Sequence, residues 1–133
     1  MRRYLIAYAV AAVVFLALDM TWLGVIAHEL YRDEIGPLIL ETPRLGPAAA
    51  FYLIYLAGVV IFAIRPALAS GRLAEAALMG TVFGFIAYAT YDLTNLATLK
   101  GFSLTVTFAD LAWGAFVSAA AAGAGYLAAK RWG

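Results

Sequence analysis

Four long apolar runs take up most of this 133-residue chain, and that feature leaves few folds open. They cover about 4–27, 47–64, 74–96 and 104–129. Each is close to the roughly 20 residues a helix needs to cross the hydrocarbon core of a bilayer. No water is at hand there to satisfy peptide groups, so each run must close its own hydrogen bonds as a helix. The expected fold is all-α: a single integral membrane domain, residues 1–133, built as a four-transmembrane-helix bundle of two helical hairpins. The composition agrees, with 65% hydrophobic and 13% charged residues, against about 25% charged in a soluble domain.

The boundaries follow from local chemistry. Met1-Arg2-Arg3 followed by apolar residues has the look of a secretion signal. The run to Ala27 is longer than the roughly 7–15 residues of a signal core, so it reads as an uncleaved first span. Pro47 suits a first helical turn. Arg65-Pro66 is expected to close the second span, because proline disfavours continuing a helix.

Several chemistries are excluded. The chain has no cysteine and only one histidine, His28, which removes disulfides, thiol catalysis and a clustered-histidine metal site. No basic patch points to nucleic acid. The basic residues instead sort by side. Arg2, Arg3, Arg65, Arg72, Lys130 and Arg131 fall on one side of the four spans, and Arg32, Arg44 and Lys100 on the other. The positive-inside rule then puts both termini of this multi-pass chain in the cytoplasm.

Three aspartates, Asp19, Asp92 and Asp110, stand inside these apolar runs. An intramembrane carboxyl costs from about 3 to over 10 kcal/mol, so it faces a bundle interior or wet cavity and has a partner. Trp22, Asn95 and Trp113 follow them at i+3, on the same helix face. Tyr88 precedes Asp92 at i−4, which gives Asp92 the richest polar face. With the termini in the cytoplasm, all three acids lie in the outer half of the membrane, within about one helical turn in depth at 1.5 Å per residue. The candidate ligand-binding set is therefore Asp19, Trp22, Tyr88, Asp92, Asn95, Asp110 and Trp113, around one outward-opening cavity, with no metal site assigned. Each member has a plainer reading. An indole N–H donates to a carboxylate, so Asp19 and Trp22 could form a structural pair, and Asp110 suits an early helical turn, where the dipole favours an acid. Lys100, in the loop Thr98–Ser103, is within reach of Asp92 or Asp110 as a countercharge, or is simply a solvated lysine.

Asp19-Met20-Thr21-Trp22-Leu23 echoes Asp92-Leu93-Thr94-Asn95-Leu96. A tandem repeat of hairpins would pack the first and third spans near the centre about an axis along the membrane normal. The intervening loop His28–Gly46 has mixed charge and suits a solvated cap, with a short surface helix within Glu29–Leu40. Tyr4, Tyr8, Tyr126 and Trp132 at one interface and Tyr31 at the other form an aromatic belt. Tyr52, Tyr55, Tyr88 and Tyr91 lie deeper and could line a cavity or pack. Gly80 and Gly84, and the small residues Ala119–Gly125, allow close helix approach within or between subunits.

Leu18-Asp19-Met20-Thr21-Trp22-Leu23-Gly24, Phe51-Tyr52-Leu53-Ile54-Tyr55-Leu56-Ala57-Gly58, Tyr91-Asp92-Leu93-Thr94-Asn95-Leu96-Ala97-Thr98-Leu99 and Asp110-Leu111-Ala112-Trp113-Gly114 together resemble the domain-of-unknown-function 2177 family of small bacterial membrane proteins, over nearly the whole chain. The resemblance implies a four-span membrane protein and carries no activity. Three functions stay open. The first is binding or transport of a small molecule or ion, which four helices would achieve as a homo-oligomer. The second is a membrane-embedded enzyme acting on a lipid or isoprenoid, whose acids would do general acid–base work or hold a hard cation. The third is a structural accessory subunit.

Overall fold

A computed structural model describes all 133 residues. Helix α1, Arg2–Thr21, runs on through a π-helical turn at Trp22–Ile26. Then come the short α2, His28–Ile35, and a 3₁₀ turn at Gly36–Leu38. The second span joins α3, Leu45–Val59, a second π-helical turn, Val60–Ile64, and α4, Arg65–Ser70. Helices α5, Leu73–Thr98, and α6, Leu104–Trp132, complete the chain. The four continuous helical stretches, Arg2–Ile26, Leu45–Ser70, Leu73–Thr98 and Leu104–Trp132, are long and apolar enough to cross a membrane. The chain is thus a helical, multi-pass membrane protein, and its many exposed large apolar side chains face lipid.

The second span does not end at Arg65-Pro66. Pro66 lies in the first turn of α4, directly after the widened turn Val60–Ile64. A π-helical turn reroutes the backbone bonds that an interior proline would break, so the helix runs to Ser70. Gly71 stops it, with a left-handed φ of 72°. There the N–H groups of Gly71 and Arg72 both donate to the Ala67 carbonyl, at 2.8 and 3.2 Å.

The centre of the bundle is α6, rather than the first and third spans. It packs along α5 on one side and α1 on the other, while α1 and α5 make no extended contact. The sequence shows why. On the α5 side, a Cβ added to Gly84 would run into the Gly114 carbonyl and Ser118, and one at Gly80 into Ala122 and the Ser118 carbonyl. These backbones touch because no side chain intervenes, as expected of small residues in membranes. Gly80, Gly84 and Ala122 therefore serve a contact within the chain.

The two hairpins are unequal. Helices α5 and α6 are closely paired, whereas α3 keeps only sparse contact with α1 and α6. No residue from Leu45 to Ile54 is buried. Contact recovers further along, where Tyr55, Val59 and Ile64 join the core with Ala7, Ala11, Phe15, Val117 and Tyr126. The second span therefore splays from its neighbours towards Leu45, and α2 and the loop after it lie over the gap.

Candidate ligand-binding site

The gap is a cavity of about 1220 Å³. Asp19 and Trp22 come to it from the first span, and Tyr88 and Tyr91 from α5. Asp110 and Trp113 come from α6, Phe51 and Tyr52 from α3, and Tyr31 and Arg32 from α2. Most of the lining is apolar, including Leu23, Ile35, Ile39, Leu40 and Val106, and His28, Arg32 and Glu41 stand among the outermost, exposed residues. Ligand cavities commonly measure about 300–1,000 Å³ and combine apolar walls with a few placed polar groups. This one, at about 1220 Å³, is larger than that range.

Two hydrogen-bonded networks organise the polar wall. In the first, Asp19 accepts from the Tyr52 hydroxyl at 3.0 Å through Oδ2 and from the Trp113 indole N–H at 3.2 Å through Oδ1. In the second, the Trp22 indole N–H donates to the Tyr31 hydroxyl at 2.7 Å, and that hydroxyl donates to Asp110 Oδ1. The expected pairing of Asp19 with Trp22 does not occur. The i+3 spacing puts both on one face, but an indole N–H points outward from its own helix and bonds across the interface. Trp113 serves Asp19, and Trp22 serves Asp110 through Tyr31. The two indoles stack with ring centroids 4.7 Å apart and 7° between their planes, which joins the networks into one wall.

Tyr31 therefore turns inward to the acids. The π-helical turn closes with Ala27 N–H donating to the Trp22 carbonyl at 2.7 Å, and α2 then folds back towards α6. Ser103 fixes the same corner. Its hydroxyl donates to Glu34 at 3.1 Å and accepts the Val106 N–H, also at 3.1 Å, as the cap of α6. Burial, and then the hydrogen bond and negative charge of Asp110, hold the Tyr31 hydroxyl above its ordinary range, so it remains a donor at neutral pH.

Asp92 does not line the cavity, and neither does Asn95. Asp92 is fully buried behind the wall, and neither of its carboxyl oxygens meets a hydrogen-bond donor. The side chains expected to serve it, Tyr88 and Asn95, form no bond to it. Its closest polar neighbour is the Asp110 carboxyl. Tyr88 instead lays its ring on Gly114, whose missing side chain makes the space. Lys100 pairs with none of the acids. The ion pairs are Arg32–Asp33 and Arg72–Glu75, at 4.0 and 3.9 Å. No three His, Asp or Glu side chains approach closely enough to hold a metal ion. Tyr31 is the network residue that sequence reasoning passes over. Tyr52 is visible as a deep tyrosine, whereas nothing local marks Tyr31.

The profile of a family described as "Predicted membrane protein (DUF2177)" matches residues 4–127. The chain belongs to that family. The four stretches that carry the resemblance include every member of both hydrogen-bonded networks except Tyr31. No curated protein and no solved structure matches the chain.

Proposed function

We propose that the protein binds a small amphiphilic molecule that it takes from the bilayer. One observation carries this reading. An apolar groove of about 490 Å³ between the second and third spans, lined by Ile54, Gly58, Phe62 and Phe83, shares Phe51 and Ala87 with the large cavity. A polar head would sit against Asp19, Asp110 and Tyr88 while its tail leaves past Phe51 and Ala87 towards lipid. The splayed α3 gives the cavity its volume, and the docked α2 covers it. A dry core made only to lock helices would leave no such volume. With the basic residues Arg2, Arg3, Arg65, Arg72, Lys130 and Arg131 at the opposite end, the proposed topology has cytoplasmic termini and the cavity facing the other side of a bacterial inner membrane.

Bromine quenches tryptophan on contact, and Trp22 and Trp113 line the cavity. The test uses the Trp132→Phe variant in lipid nanodiscs, titrated with dodecanol brominated along its chain and referenced to the amount partitioned into protein-free discs. Saturable quenching that Ala87→Leu abolishes supports the reading. Quenching that rises only with bulk partitioning, equally in both proteins, overturns it. Single cysteines placed at Ser70 and Glu41 of this cysteine-free chain, labelled from outside intact cells, test the topology. Labelling at Glu41 alone is the expected result.

A further inference from the structure

The carboxyls of the cavity are bonded only by neutral groups. Asp19 accepts from a phenol and an indole, and Asp110 from a phenol. No Lys, Arg or His side chain comes within 4.0 Å of Asp19, Asp92 or Asp110, since the ion pairs lie elsewhere. Behind Asp110 stands Asp92, fully buried, with the Asp110 carboxyl as a polar neighbour. Intramembrane acids ordinarily pair with one another, with a base or with backbone carbonyls; Asp92 and Asp110 adjoin each other, but no base answers any of the three. The basic lining residues, His28 and Arg32, are exposed and stand with Glu41, and Arg32 lies beside Asp33. Around the acids, the rings of Trp22, Trp113, Tyr52 and Tyr88 line the cavity, and aromatic rings attract cations through the ring quadrupole.

We infer that the amphiphile is an organic cation, an alkylammonium-type molecule whose positive head lies between Asp19 and Asp110 against the aromatic wall. This inference rests on the cavity-binding reading above and adds the sign of the charge. A metal cation is the wrong occupant, because no three acidic or imidazole groups converge and hard divalent ions want six or more oxygens. An anionic head would meet carboxyls with no protein cation beside them, and it would have to displace the tyrosine and indole donors already committed to those carboxyls.

The experiment compares three brominated probes of equal chain length, dodecylammonium, dodecanol and dodecanoate, in zwitterionic nanodiscs. Each is referenced to its own partitioning into protein-free discs. The ammonium should bind at least about tenfold more tightly than the carboxylate, and Asp19→Asn should reduce that ratio. The comparison within the parent protein needs no variant to fold. If dodecanol binds saturably but the two charged probes bind alike, or the carboxylate binds better, the cation inference is overturned and the cavity reading stands. If none of the three quenches saturably, both fall.

Discussion

Trp22 and Trp113 stack face to face, with centroids 4.7 Å apart and planes 7° from parallel, yet each indole N–H serves the acid of the other's helix. Trp113 donates to Asp19 directly, and Trp22 reaches Asp110 through Tyr31. The stack thus joins the two polar networks. In a double-mutant cycle of Trp22→Leu and Trp113→Leu, the coupling energy should be about 0.5–1.5 kcal/mol, read from reversible unfolding in bicelles. Additive effects would mean that the stack holds nothing together.

Tyr31→Phe removes the one bond from α2 to an intramembrane acid. It should cost about 1.5–3 kcal/mol, as for hydrogen bonds to charged groups, and raise amide exchange at residues 28–38 while the four spans keep their protection. The pH sign follows from the raised Tyr31 hydroxyl. Its contribution is fully present below the unfolded tyrosine value of about 10 and is lost as pH climbs above that. The stability gap between parent and variant should therefore be constant from pH 7 to 9 and narrow above about 10. A gap that narrows on acidification between those limits would contradict the assignment.

Gly84→Val tests the close approach at the centre of the bundle. A Cβ at Gly84 meets the Gly114 carbonyl and Ser118, whereas one at Gly24 meets nothing within 4 Å. The valine should lower stability by about 1–3 kcal/mol through overpacking, with Gly24→Ala as the tolerated control. Equal effects at the two positions would mean that α5 and α6 are not in backbone contact.

Asp92→Asn places a permanent N–H donor beside the Asp110 carboxyl. The amide N–H can bond to the Asp110 carboxyl, so the variant should be more stable than the parent by about 1 kcal/mol, the worth of one hydrogen bond, and melt at a higher temperature. A lower melting temperature would show that the acid has a partner that the amide cannot replace.

The four spans are legible in the chain itself because lipid leaves an apolar run of that length no alternative to helix. The acids are legible for the same reason, since each is a costly exception to such a run. Their partners are not. The i+3 pattern places Trp22 with Asp19 and Trp113 with Asp110 on shared faces, but it does not say that the indoles cross between helices. Tyr88 and Asn95 lie on the face of Asp92, yet neither bonds to it.

The sequence by itself determined which segments are helices and which residues are expensive to bury, because both depend on a residue and its near neighbours in a known solvent. The tertiary structure decided the rest. The rotation and approach of α6 are set where Gly80 and Gly84 meet Gly114, Ser118 and Ala122, and that contact turns Asp92 into the α5–α6 interface. The widened turn at Trp22–Ile26 and the fold-back of α2 bring Tyr31 to Asp110, a partner 79 positions away. Hydrogen bonds need donor and acceptor within about 3 Å, and a match that fine between distant segments depends on how whole helices pack, which local pattern does not encode.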